Sequence, residues 1–205
     1  MIGVRDLLRN ESASSAAEFA LVLPLLLLLL FGIIDAGRFM WEYNRAEKAT
    51  QMGVRFAAVT DPVLGSGFSN YSFSINDGIA QGSPVPTANF DSATCIQGSC
   101  SCVGGTICGS VVYDATAFQN IVNRMSAMYP QIAPANVQVA YKNVGIGFAG
   151  DPNGPDVSPL VTVKFRDDNP LVFHPITCMI FACSISMPDF RASLTGEDLA
   201  GSTSN

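Results

Sequence analysis

The plainest chemistry in this sequence belongs to six cysteines, all of them after residue 90. Cys95, Cys100, Cys102 and Cys108 crowd together, while Cys178 and Cys183 form a separate, local pair. An even number of thiols, confined to the part of a chain beyond a hydrophobic segment, predicts disulfides made in an oxidising compartment. Cys100 and Cys102 are poorly placed to bridge each other. The cluster therefore pairs either as 95–100 with 102–108 or as 95–102 with 100–108, and Cys178 bridges Cys183. Four thiolates are also a zinc set, but the spacing does not suit one and no His lies nearby, so no metal is expected.

Little else is equipped for turnover. The one His, His174, leaves almost nothing for imidazole chemistry. No Gly-x-Ser-x-Gly, phosphate-binding glycine loop or His/Cys/Asp constellation is present. Asp151-Pro-Asn-Gly-Pro-Asp156 groups oxygen-bearing side chains about a glycine turn, but lacks the ligand spacing and closing Glu of a calcium loop. The expectation is a protein that is not an enzyme, with no cofactor and no small-molecule substrate. The formal net charge of -6, from 11 Lys+Arg against 17 Asp+Glu, speaks against nucleic acid as a partner.

Composition points to a membrane. The chain is 48% hydrophobic and only 14% charged, where about 25% charged is usual for a globular protein. Phe19 to Ile34 is a run of 16 residues without a charge, extended by Ala16, Ala17 and Ala36. A spanning helix needs roughly 17–25 residues, so with its flanks the run is long enough. A cleaved secretory signal is the competing reading. The run is long for that purpose, and Asp35-Ala-Gly-Arg-Phe-Met-Trp41 offers no clean small-x-small cleavage site. Arg5 and Arg9 precede the run, whereas Arg38, Arg45, Lys48 and Arg55 follow it. That count mildly favours a cytoplasmic C-terminus; the cysteines favour the opposite orientation, and the latter is preferred. Glu18 stands at the mouth of the run. A carboxylate there is costly unless it stays interfacial or finds a positive partner, which another chain would have to supply.

These residues resemble a known family. Arg9-Asn-Glu-Ser-Ala-Ser-Ser-Ala-Ala-Glu-Phe-Ala-Leu-Val-Leu-Pro24, then a leucine run, then Phe31-Gly-Ile-Ile-Asp-Ala-Gly-Arg38 is similar to the start of TadE-like proteins. These are pseudopilins of the tight-adherence (Tad, or Flp) pilus. The block covers about residues 5–60; Val161–Phe165 and Asp189–Asp198 are more loosely similar to the family's closing strands. The resemblance implies processing by a prepilin-type peptidase, with the glutamate fifth in the mature chain. Glu18 in that role places the cut between Ala13 and Ser14, with Ala13 where Gly is customary. It further implies partners among other Tad pilins and pseudopilins and an inner-membrane assembly platform. Location would be the bacterial inner membrane, single-pass, with the C-terminal domain periplasmic and open to incorporation into a pilus. TadG relatives share the signature but are often longer, so only length favours TadE. A membrane-anchored periplasmic binding module outside any pilus is the alternative.

The expected organisation is a leader at 1–13, a transmembrane helix at 14–37, its extracytoplasmic continuation at 38–60, and a disulfide-stapled domain at 61–205. Pro24 removes one hydrogen bond inside the helix and favours a kink. Beyond the membrane, Phe39, Tyr43, Ala46, Ala49, Gly53 and Phe56 form an apolar face, opposed by Glu42, Arg45, Lys48 and Arg55. Asp61-Pro62 ends the helix. Residues 61–110 read as loop-rich, with one strand at Tyr71–Ile75. A helix from Asp114 to Tyr129, capped by Asp114, precedes strands at Asn136–Tyr141, Leu160–Arg166, within Leu171–Ser186, and at Phe190–Thr195. The layout is α+β: a long N-terminal helix, then a mostly antiparallel sheet, as in pilins.

Overall fold

The computed structural model describes residues 11–152, 154–178, 183–196, 199 and 201, with side chains from residue 15 onward. Helix α1 runs over Glu11–Ala57 and contains Pro24. Two short helices follow, α2 at Ser66–Ser69 and α3 at Phe73–Asn76, and then a longer one, α4, at Ala115–Ser126. The strands are β1 Ser92–Ile96, β2 Ser99–Val103, β3 Val137–Lys142, β4 Leu160–Phe165, β5 Val172–Phe173, β6 Ile185–Ser186 and β7 Arg191–Thr195. The fold is α+β, as expected. It divides into two compact units, Met1–Glu42 with Val172–Ile185, and Tyr43–Leu171 with Ser186–Asn205.

The larger unit is built on a five-stranded sheet in the order β2-β1-β3-β4-β7, antiparallel at every step. Alternation decides its faces. Val137, Val139 and Tyr141 of β3 are buried, as are Val161, Val163 and Phe165 of β4. The register places Cys95 beside Val139, Val139 beside Val163 and Val163 beside Ala192, so one continuous apolar row crosses four strands. Each buried Val or Phe contributes on the order of 1.5–3 kcal/mol.

Against this face lies the last part of α1, from Tyr43 to Ala57. Ala46, Ala49, Gly53 and Ala57 recur at three- and four-residue steps and are buried. Their smallness allows close approach: a Cβ on Gly53 would stand 2.7 Å from Met125 Cγ and 3.3 Å from Val163 Cγ1. Helix α4 begins as its sequence predicts, Asp114 Oδ1 accepting the N–H groups of Thr116 at 2.8 Å and Ala117 at 2.9 Å. Its buried side chains include Phe118, Ile121, Val122 and Met125. Buried polar groups are satisfied: Asn143 donates to the carbonyls of Val85 and Phe90, and the Tyr141 hydroxyl accepts the Val63 N–H at 3.0 Å. Burial pushes that phenol well above the usual tyrosine range.

Three expectations are corrected. Tyr71–Ile75 is not a strand; Phe73 opens α3 instead, its N–H held by the Asp156 carboxylate at 2.7 Å. Tyr71 and Phe73 are both buried and stack edge to face, while Ile75 is 83% exposed, so the apparent alternation has no second face to serve. The cysteine cluster is not a loop. Cys95, Cys100 and Cys102 lie in the β1–β2 hairpin, turned by Gln97 and Gly98, with Gly98 at a φ of 87° that disfavours other residues, and Cys108 lies in the 3₁₀ turn Thr106–Gly109 that follows. Glu42, expected on the polar face of α1, is 6% exposed and lies on the buried stripe with Ala46 and Ala49.

Candidate functional site

Among the described residues, the informative chemistry lies along α1. From Ser15 to Ile34 nearly every side chain is exposed, Phe19, Leu21, Leu25 and Leu29 among them. The helix is long and apolar enough to cross a membrane: its most apolar 18-residue window has a mean hydropathy of 2.6, and none of that window is buried by the protein. At 1.5 Å per residue these residues reach about 30 Å, the thickness of a bilayer's hydrocarbon core. The stretch has no apolar stripe because it has no polar face. An apolar helix of this kind suggests a single-pass membrane anchor.

Glu18 sits exposed one turn inside this stretch. Ala13 and Ser14 are within the helical backbone, and the expected leader lies, up to residue 10, outside the described residues. Pro24 is helical too; lacking an N–H, it leaves the carbonyl of Ala20 without the usual helical donor. Glu18 and the carboxylate that closes the apolar run, Asp35, are separated by about 25 Å of helix, so the two do not cooperate.

Asp35 was not singled out by its sequence context, yet it is the best-held acid in the smaller unit. It is 6% exposed. One oxygen accepts the Ile176 N–H at 2.7 Å, and the other accepts the Thr177 N–H and hydroxyl, both at 2.9 Å. Arg38 approaches the same carboxylate at 3.3 Å and Glu42 at 3.7 Å. The Arg38 guanidinium also lies 5.4 Å from the Phe173 ring centroid, and Phe39 meets that ring edge-on at 5.4 Å. Two backbone N–H groups that would need water are thus served by a side chain at the end of the apolar run. The Asp35, Arg38, Glu42 spacing of three then four residues was a legible signal of one charged stripe. Its partner, more than 140 positions away in sequence, was not.

The cysteines pair as Cys95–Cys100, Cys102–Cys108 and Cys178–Cys183. The hairpin decides between the two arrangements: Cys95 and Cys100 face each other in register, while Cys102 is opposite Ala93. Cys178–Cys183 closes the segment that Asp35 holds. The Asp151–Asp156 turn has a structural use, because Asp156 accepts the N–H groups of both Phe73 and Asp151.

Residues 13–55 match the family model described as TadE-like protein, in agreement with the resemblance carried by the sequence motif. No curated protein and no solved structure matches the chain.

Proposed function

We propose, from the premise that this chain begins with a TadE-like segment, that it is a minor pilin or pseudopilin, a structural or assembly component of a Tad pilus that serves adherence. The observation that carries the reading is the first part of the matched segment: between Ser15 and Ile34 it is an apolar helix exposed nearly all round, with one carboxylate, Glu18, near its start. Its anchor lies in the inner membrane and its disulfide-bonded domain in the periplasm. The three local disulfides support an oxidising location for that domain.

The mechanism is assembly. A prepilin-type peptidase cuts between Ala13 and Ser14 and frees an α-amino group, whose ordinary pKa of about 8 leaves it largely protonated at neutral pH. In a filament or assembly intermediate, Glu18 of one subunit pairs with that amine on its neighbour. Burial among apolar helices makes each charge costly alone, so pairing fixes the axial stagger between subunits. The surrounding leucines then replace lipid contacts with helix contacts. Partners are other Tad pilins and the membrane assembly platform; no small molecule is turned over.

One observation favours a second reading, a membrane-anchored periplasmic module outside any filament: Ala13 occupies the position before the cut where the family uses Gly. The N-terminal residue and intact non-reduced mass of protein from its host's membranes separate the two. Processing predicts a start at Ser14 and a mass two hydrogens lower for each of three disulfides. A retained Met1 removes the pseudopilin mechanism and leaves the anchor.

A further inference from the structure

We infer that Val172–Cys178 and Cys183–Ile185 are a second membrane contact, a collar seated in the phospholipid interface beside the exit of α1. The inference rests on the membrane-anchor part of the reading above. Hydrogen bonds from Ile176 and Thr177 fix this segment to Asp35, the residue that immediately follows the apolar run. If Ser15–Ile34 spans the hydrocarbon core, whose thickness it matches at about 30 Å, then Asp35 lies at the outer boundary. Whatever is tied to Asp35 shares that depth.

The collar's composition suits the boundary. Phe173 is buried against Phe39, while its neighbour Val172 is 37% exposed and Ile185, on the other strand of the β5–β6 pair, is 46% exposed. Met40 and Trp41, just beyond on α1, are also exposed. Trp is favoured at the headgroup level, where an apolar ring with a polar edge is best accommodated. Arg38, with 40% of its side chain exposed, supplies a cation at the same level while its acidic partners hold it in place. Apolar groups directed outward beside a charged, hydrogen-bonded clamp meet both requirements of an interfacial element. The continuity of the collar with the spanning helix identifies the occupant as the bilayer.

Trp41 is the chain's one tryptophan, so full-length Trp41→Phe protein in phospholipid vesicles is a dark background for single reporters. Val172→Trp and Ile185→Trp are compared with Leu28→Trp in the apolar run and Ile75→Trp as a water-facing reference. Each is quenched by lipids brominated near the headgroup or near the bilayer centre, and by aqueous acrylamide. The collar reporters are expected to be quenched most by shallow bromine and to be several-fold less open to acrylamide than the reporter at position 75. Adding Asp35→Ala is expected to abolish the bromine quenching at position 172 while leaving that at position 28. Collar reporters quenched only by acrylamide, with position 28 quenched by deep bromine, overturn the collar and keep the anchor. No bromine quenching at position 28 overturns both. Shallow quenching that survives Asp35→Ala overturns the part given to Asp35.

Discussion

The two halves of α1 have one backbone conformation and two compositions. Between Ser15 and Ile34 the helix is apolar all round and buries almost nothing. Between Tyr43 and Ala57 it carries alanine and glycine on one side and charges on the other, and the small side is packed. Helicity alone therefore says nothing about surroundings. What distinguishes the halves is whether the apolar residues have a period, and how large they are. A lipid-facing stretch needs bulk in every direction; a stretch pressed on a sheet needs a narrow face that lets backbones approach.

That contrast breaks first under charge. Leu28→Arg places a cation in the middle of the bare half, at a cost of roughly 2.5–3.5 kcal/mol on insertion scales. Most of the protein is then expected in the alkali-extractable fraction of host membranes, whereas Lys48→Glu, on an exposed position of the other half, leaves it membrane-bound. Size tests the packed half next. Gly53→Val drives a side chain into Met125 and Val163 and is expected to destabilise the domain by about 1–3 kcal/mol in thermal unfolding. Gly32→Val is the matched control, since no described atom lies within 4 Å of the Cβ it would add, and it leaves that transition unmoved.

Removing Cys95–Cys100 by a double Ser substitution sharpens the comparison from outside the helix. Loop-closure entropy for so short a loop predicts a loss of about 2 kcal/mol in denaturant unfolding, with vesicle association unaffected. The smallest effect expected is at Asp168, whose hydrogen bond from Arg166 holds its carboxyl below the ordinary carboxylate range. A depressed folded-state value stabilises the fold above the unfolded pKa, and that gain fades as pH falls through the folded value. Asp168→Asn is thus expected to flatten the acid limb of an unfolding-versus-pH curve slightly, because the pair is surface-exposed and screened by solvent.

The same contrast explains what the sequence made legible. Regular repetition over many residues was readable: the apolar run, the strands β3, β4 and β7, and α4 with its Asp114 cap. Each carries its own period or its own stop signal within about a dozen residues. The β1–β2 hairpin was not, because Ser, Cys, Thr and Gly give weak strand propensity and its apolar row is completed by β3. Tyr71–Ile75 alternated like a strand, but a carboxylate 83 positions distant claimed the Phe73 amide. Asp35 and Glu42 read as solvated charges beside a membrane run. Burial of Asp35 depends on Thr177, and no local pattern announces a partner so far along the chain. At the candidate site, the family motif pointed to Glu18 and the Ala13–Ser14 bond as candidates; the clamp at Asp35 had to be seen in three dimensions.

Gly53 gives the packed half of α1 a mechanical character. With Met125 and Val163 crowding the space where a Cβ would be, the helix has a notch there and its neighbours fill it. Sliding the helix lengthwise would carry the notch away and bring a bulkier residue under the same two side chains. A pull along the helix axis is therefore resisted by interlocking shape, as a key resists withdrawal from a turned lock, and the load passes from α1 into strand β4 and the sheet. That resistance is insensitive to salt and pH, because no charge takes part in it.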